Sequence, residues 1–111
     1  MKILNKPNYI LLQANDTKSA GEFIKLVSDH IFKNPHANYV VDLIAFAEVN
    51  KHNIKQLISI KDSILAKKQS FIVLINQLKV DELPEEMNTV PTLREAEDVI
   101  EMEMIERDLG F

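Results

Sequence analysis

The residues of this chain that could support catalysis or metal binding are few and widely spaced. Its three histidines, His30, His36 and His52, include no pair at the i, i+3 or i+4 spacing that places two ligands on one helix face. The chain has no cysteine and only two glycines, which excludes disulfides, cysteine-bound zinc and a glycine-rich phosphate loop. We therefore expect neither a metal site nor a bound cofactor.

Asp42 is the one carboxylate in an unusual setting, because it interrupts a long apolar run. Two roles are open for it: a general base in an apolar site, or an acceptor for the backbone amides of the loop that follows a strand. Glu101, Glu103 and Glu106 are better explained as solvated faces of an acidic helix than as a catalytic carboxylate cluster. With so few candidates for chemistry, we expect a protein that is not an enzyme.

Charge is distributed unevenly along the chain. Residues 1–80 contain 11 lysines and six acidic residues, whereas residues 81–111 contain 11 acidic residues and two arginines. Solvated helix faces, a basic surface for an anionic partner and a self-complementary dimer would each produce this asymmetry. The lysines are scattered and aromatic residues are few, which argues against nucleic-acid binding. No apolar run could span a membrane and the N-terminus has no signal-peptide pattern, so we expect a cytoplasmic protein that does not bind membranes.

The element that must position any site here is the apolar run Tyr39–Phe46, which predicts a strand buried on both faces. A polar loop, 48–53, follows it. Asn50 or Asn53 can cap the helix whose periodic pattern opens at Ile54. The predicted inner face of this helix leaves Ile60 to one side and consists of Ile54, Leu57, Ile58, Ile64 and Leu65.

The remaining segments supply partners for this strand. Further strands are predicted at 9–14 and 70–76, with short edge strands at 1–4 and 89–91, and a short helix is predicted at 81–87. A first helix begins at the capping box formed by Ser19 and Glu22, with Asp16 as a competing cap, and stops before Pro35. Its predicted inner stripe is Ala20, Phe23, Ile24, Val27 and Ile31.

The last helix carries two apolar stripes. It begins at a second capping box, formed by Thr92 and Glu95, and runs to about Leu109. Its inner stripe consists of Leu93, Ala96, Val99, Ile100 and Met104. A second stripe, on another face, consists of Met102, Ile105, Leu109 and Phe111. This second stripe is either a partner surface or is buried by the N-terminal part of the chain.

Strands and helices alternate, which predicts an α/β layered fold in a single domain spanning residues 1–111. We expect a mixed, mostly parallel sheet of four or five strands with three or four helices packed against it. Nearly the whole chain resembles the STAS domain, the fold of anti-sigma factor antagonists and of the cytoplasmic tails of sulfate transporters. The resemblance is carried by three segments: Val40-Val41-Asp42-Leu43, Phe71-Ile72-Val73-Leu74 and Val90-Pro91-Thr92-Leu93-Arg94-Glu95-Ala96.

The chain departs from this family at the functional loop. Phosphorylatable STAS proteins carry Asp-Ser-Ser-Gly at the start of the second helix, and those positions fall here on Asn50-Lys51-His52-Asn53. A phosphate would add about −1.5 to −2 charge at this point, but Lys51 has no hydroxyl to accept one. The resemblance therefore implies a regulatory, protein-binding role without the phosphoserine switch.

Three functional hypotheses follow. The first is a non-catalytic interaction module that binds an unidentified protein through Glu48, Asn50, Lys51, His52, Asn53 and Lys55, with the second stripe of the last helix as another candidate surface. The second is a homodimer in which the acidic last helix pairs with a basic face. The third is ligand binding or catalysis at loop 48–53, with Asp42, Lys51 and His52 as its only plausible actors.

Overall fold

The fold is a five-stranded sheet covered by helices on both faces. A computed structural model describes residues 1–16, 19–47, 49–75 and 87–110. Its elements, in chain order, are β1 (Lys2–Asn5), β2 (Ile10–Gln13), α1 (Ala20–Lys33), β3 (Tyr39–Asp42), α2 (Lys51–Ala66), β4 (Phe71–Leu74), β5 (Thr89–Val90) and α3 (Leu93–Asp108). The strands lie in the order β1-β2-β3-β4-β5, with β1 antiparallel to β2 and the other pairs parallel.

The alternation of side chains along β3 and β4 divides the core into two layers. Tyr39, Val41 and Val73 point to one face of the sheet, where α1 and α2 cover them. Val40 and Ile72 point to the other face, where α3 covers them. All five side chains are almost fully buried, so both central strands need helices on both of their faces.

Strand β3 is shorter than its apolar run predicts. The strand ends at Asp42, and a turn occupies Ile44 and Ala45. The prediction of a strand through Phe46 was wrong because the Asp42 carboxylate accepts a hydrogen bond from the amide of Ile44, 2.9 Å away. The Asp42 side chain takes the amide of Ile44, which would otherwise be free to pair with a neighbouring strand, and the chain turns out of the sheet at this point.

The packing of α2 differs from the prediction at two positions. Ile60 is buried (4% exposed) and Leu65 is exposed (45%), the reverse of what the stripe beginning at Ile54 predicts. The reason is that α2 packs against α1 as well as against the sheet, so its buried face extends toward α1, where Ile60 lies beside Ile24. The predicted stripe of α1 is confirmed, since all five of its members are buried.

The other predicted strands are confirmed, three of them with shorter bounds and β1 with the same length, shifted by one residue. β2 and β4 occupy four residues each, and β1 and β5 form the two edges of the sheet. The helix predicted at 81–87 lies outside the described residues except for Met87, which is buried. The described helices include none that is long and apolar enough to cross a membrane.

Helix α3 is fixed to the sheet at both of its ends. Near its start, the Tyr9 hydroxyl donates a hydrogen bond of 2.8 Å to Oε1 of Glu97. Burial of the phenol, assisted by the neighbouring Glu97 carboxylate, raises the pKa of Tyr9 to about 12. Near its end, Arg107 donates to Oγ of Ser70 and to Oδ1 of Asn38, at 3.1 and 3.3 Å. The predicted inner stripe of α3 faces the core: Ala96 and Ile100 are buried, and Leu93, Val99 and Met104 are partly buried against the same cluster.

Replacing Val73 by aspartate should unfold the protein. Val73 is 1% exposed in a strand that is paired on both sides, so the substitution would bury a charge without a partner and cost about 4 kcal/mol or more. Ile3→Asp, at a half-exposed position of the edge strand β1, is the matched control and should leave the fold intact. Circular dichroism and thermal melting of both variants test this, and a normal melting curve for Val73→Asp would contradict the two-layer core.

Replacing Thr92 by alanine should destabilise the protein by about 1 kcal/mol. The Thr92 hydroxyl caps α3 by accepting a hydrogen bond of 3.2 Å from the amide of Glu95, and alanine leaves that amide without this partner. Thr92→Ser keeps the hydroxyl and should retain most of the stability. Urea denaturation measures the difference, and equal loss in both variants would show that the hydroxyl is not the stabilising group.

Candidate functional site

The start of α2 is closed by a reciprocal pair of asparagines. The side chain of Asn50 accepts a hydrogen bond from the amide of Asn53 (2.8 Å), and the side chain of Asn53 accepts one from the amide of Asn50 (3.0 Å). Both residues were candidate caps, and the structure uses them together, with Asn50 at the cap position. Two amides that a helix N-terminus would otherwise offer to an anion are thereby satisfied within the chain.

The loop between β3 and α2 is held against the core before it reaches this cap. Leu43 is fully buried, and Phe46 stacks on Phe23 of α1 with ring centroids 5.7 Å apart. The amide of Phe46 also donates to the carbonyl of Leu43 at 3.0 Å, which closes the turn. The chain therefore enters α2 along a path fixed by two buried apolar anchors.

The residues predicted to form a contact surface divide into exposed and buried members. Asn50, Lys51, His52 and Lys55 are exposed, whereas Asn53 is only 5% exposed. The side-chain Nδ2 of Asn53 donates a hydrogen bond of 3.5 Å to Oε1 of Gln56, so the polar atoms of the Asn53 side chain face α2 itself. Asn53 thus positions the surface and is largely inaccessible to a partner. Glu48, also predicted to belong to the surface, lies outside the described residues.

The structure does not bring together the three residues predicted for a ligand or catalytic site. Asp42 accepts hydrogen bonds at both oxygens, from the amide of Ile44 and from Nε2 of Gln13 at 3.2 Å. Within the described ranges, no hydrogen bond or ion pair joins it to Lys51 or His52. Of the two roles open to Asp42, the geometry supports the acceptor for loop amides. No group of three or more His, Asp and Glu side chains in the described part of the chain is placed to hold a metal ion.

The second predicted surface lies at the end of α3. Met102, Ile105 and Leu109 are exposed by 62%, 56% and 66%, so the described N-terminal residues do not bury them. Phe111, the fourth predicted member, lies outside the described residues. This surface is on the opposite face of the sheet from α2, and at the opposite end from the start of α2, because Arg107 reaches the residues that precede β3 and β4. One compact partner could not easily contact both predicted surfaces.

The polar residues that position α3 were missed in the sequence. Asn38 is 7% exposed and acts as a junction: its Oδ1 accepts from the amide of Ser70 at 2.7 Å and from Arg107, while its Nδ2 donates to the carbonyl of Asn8 at 2.9 Å. A signal for Arg107 was present in its spacing, since it follows Ile100 by seven residues and therefore shares the buried face of α3. Nothing in the local sequence marks Asn38.

A scan against known protein families and a search of curated protein sequences both find no match. Among solved structures, the chain is similar to a serine-to-glutamate variant of Moorella thermoacetica RsbS, with a TM-score of 0.63. The match covers 89% of this chain and 95% of that one, at 18% sequence identity. RsbS is a STAS-domain protein. The chain has a STAS-like fold. The predicted fold class, a mixed and mostly parallel sheet with helices packed against it, is thereby confirmed.

Replacing Asn50 by alanine should destabilise this STAS-like fold by about 1 kcal/mol, because the amide of Asn53 loses its acceptor and the reciprocal pair is broken. Asn50→Asp preserves an acceptor oxygen at the cap and should keep most of the stability. Urea denaturation of the two variants beside the wild type measures the effect. If Asn50→Ala is as stable as the wild type, the start of α2 is held by other contacts.

Proposed function

We propose that this chain is a non-catalytic protein-interaction module of STAS-like fold, which binds its partner through the exposed start of α2 and lacks a phosphoserine switch. The observation that carries the proposal is the arrangement of Lys51, His52 and Lys55, which project into solvent from a helix end that the chain has already capped. None of the three side chains makes a hydrogen bond or ion pair with another described residue.

The chemistry of this surface favours a protein partner with an acidic patch. Lys51 and Lys55 are one helical turn apart and present two ammonium groups on a short, rigid stretch of helix. Two charges fixed in this way raise the rate and the selectivity of docking to a surface of opposite charge. The first turn of α2 contains no acidic residue that would neutralise them.

The absence of a hydroxyl at positions 50–53 supports a constitutive mode of binding. Neither a lysine nor an asparagine side chain accepts phosphate as serine does, and the nearest hydroxyl within α2, on Ser59, is more than one helical turn beyond His52 and Asn53. The asparagine pair also occupies the amides that would hold a phosphate at this helix end. Binding would therefore depend on the partner's concentration and charge.

Ligand binding or catalysis at the same loop is less well supported. Three shallow grooves of about 200, 230 and 310 Å³ lie in the described part of the chain, and Asp42, Lys51 and His52 line none of them. Ligand sites are usually concave and enclose most of the ligand. A convex helix end suits another protein surface better than a small molecule.

Affinity capture from a lysate of the native organism tests the proposal. Three baits are compared: the wild type, Lys51→Glu/His52→Ala, and the control Lys2→Glu/His36→Ala, which makes the same two changes at exposed positions on another part of the surface. We expect the wild type and the control to retain one partner in similar amounts. The amount retained by the loop variant should be lower by about tenfold or more. If all three baits retain the same proteins in equal amounts, function does not lie at the start of α2.

A further inference from the structure

The exposed stripe of α3 is an apolar surface with an acidic border. Met102, Ile105 and Leu109 are spaced at i, i+3 and i+7, which places them in one row on the outside of the helix. Glu101 and Glu106 are exposed beside them. Over its whole length, α3 contains seven acidic residues and two arginines. Such a row of large apolar side chains marks a contact surface, and its border requires a partner of positive charge.

The opposite face of the same chain has the complementary character. A groove of about 230 Å³ runs between α1 and α2, and its most exposed apolar member is Phe32, at 66%. Lys25, Ser28, Asp29, Gln56 and Ser59 also line this groove, so its own lining contains one lysine and one acidic residue. Taken together, α1, α2 and the two lysines that follow α2 contain seven lysines, six of them exposed, and three acidic residues. The groove therefore offers one well-exposed apolar side chain and lies in a helical layer with an excess of lysines.

We propose that the acidic face of α3 in one copy of this chain docks in the α1–α2 groove of a second copy. The apolar stripe would cover Phe32, and the acidic border of α3 would meet the lysines of the helical layer. Both halves of the contact are present on one chain, and the helical layers that carry them have opposite net charges. That complementarity makes a second copy the occupant with the strongest support.

The geometry determines the kind of assembly. The two faces lie on opposite sides of one sheet, so a copy that offers its α3 still has a free groove. The contact is therefore heterologous, and copies add head to tail. A symmetric α3–α3 dimer is disfavoured, because it would oppose two acidic helices.

This assembly is independent of the proposed binding through the start of α2. The groove meets α2 at Gln56, Ser59 and Ile60, beyond Lys51 and His52, so both contacts can form on one copy. A failure of either proposal leaves the other standing, because the substitutions that test them do not overlap.

Two single substitutions test the head-to-tail contact. Ile105→Asp places a charge in the apolar stripe of α3, and Phe32→Asp places one in the groove; both positions are more than half exposed, so the fold should be retained. By sedimentation equilibrium, we expect the average mass of the wild type to increase with concentration and to decrease as salt is raised. Each variant alone should have a dissociation constant at least about tenfold higher, whereas the control Ile3→Asp should associate like the wild type.

Mixing the two variants gives the decisive measurement. The Phe32→Asp copy retains an intact α3 and the Ile105→Asp copy retains an intact groove, so an equimolar mixture should form a 1:1 dimer and grow no further. If circular dichroism shows that a variant is unfolded, Met102→Asp replaces Ile105→Asp, and Ser59→Glu replaces Phe32→Asp. A wild type that stays monomeric at millimolar concentration, a mixture that stays monomeric, or a wild-type assembly that both variants retain would each overturn the proposal.

Discussion

The burial of β3 and β4 on both of their faces is the constraint on which the rest of the structure depends. Seven of their eight residues are buried, and only Asp42 is partly exposed. Two parallel strands of this kind must be joined by a crossover helix, and they are stable only when helices cover both sides of the sheet. α1 and α2 supply one cover and α3 the other. The separation of the helices into two layers follows directly from the composition of eight strand residues.

At the two ends of these strands, backbone amides near the core no longer pair with a neighbouring strand. They need side chains as hydrogen-bond acceptors. At the carboxyl end, Asp42 accepts the amide of Ile44 and directs the chain into the turn that leads to α2. At the amino end, Asn38 accepts the amide of Ser70 and also Arg107 of α3. A buried polar group without a partner costs about 1–3 kcal/mol, so each of these residues is an acceptor that the fold needs. Each also fixes the direction of an exposed surface, the start of α2 in one case and the end of α3 in the other.

The sequence was most informative where one periodic pattern decides the structure. The stripe of α1, the inner stripe of α3 and the existence of β4 all depend on apolar spacing alone, and each was predicted. Prediction failed where a tertiary contact overrides the pattern. Leu65 and Ile60 exchange roles because α2 packs on α1, and β3 stops early because one carboxylate captures an amide. Asn38 could not be recognised, since its partners Ser70 and Arg107 are 32 and 69 residues away in sequence. For the candidate site, the sequence indicated which side chains stand at the start of α2, but only the structure separates the exposed Lys51 and His52 from the buried Asn53.

The two proposals share a physical basis, which is charge that stays fixed. In the family that the chain resembles, a phosphate on the corresponding loop alters the charge at the point of docking. Here Lys51 carries a positive charge at the corresponding position, and the unequal division of acidic and basic residues between the two helical layers is likewise set by the sequence. Fixed charges remain sensitive to ionic strength and to the concentration of binding partners. Control of such a protein would therefore act through ionic strength and through how much of it and of its partner is present, and a self-association through the α1–α2 groove would leave the start of α2 free to bind.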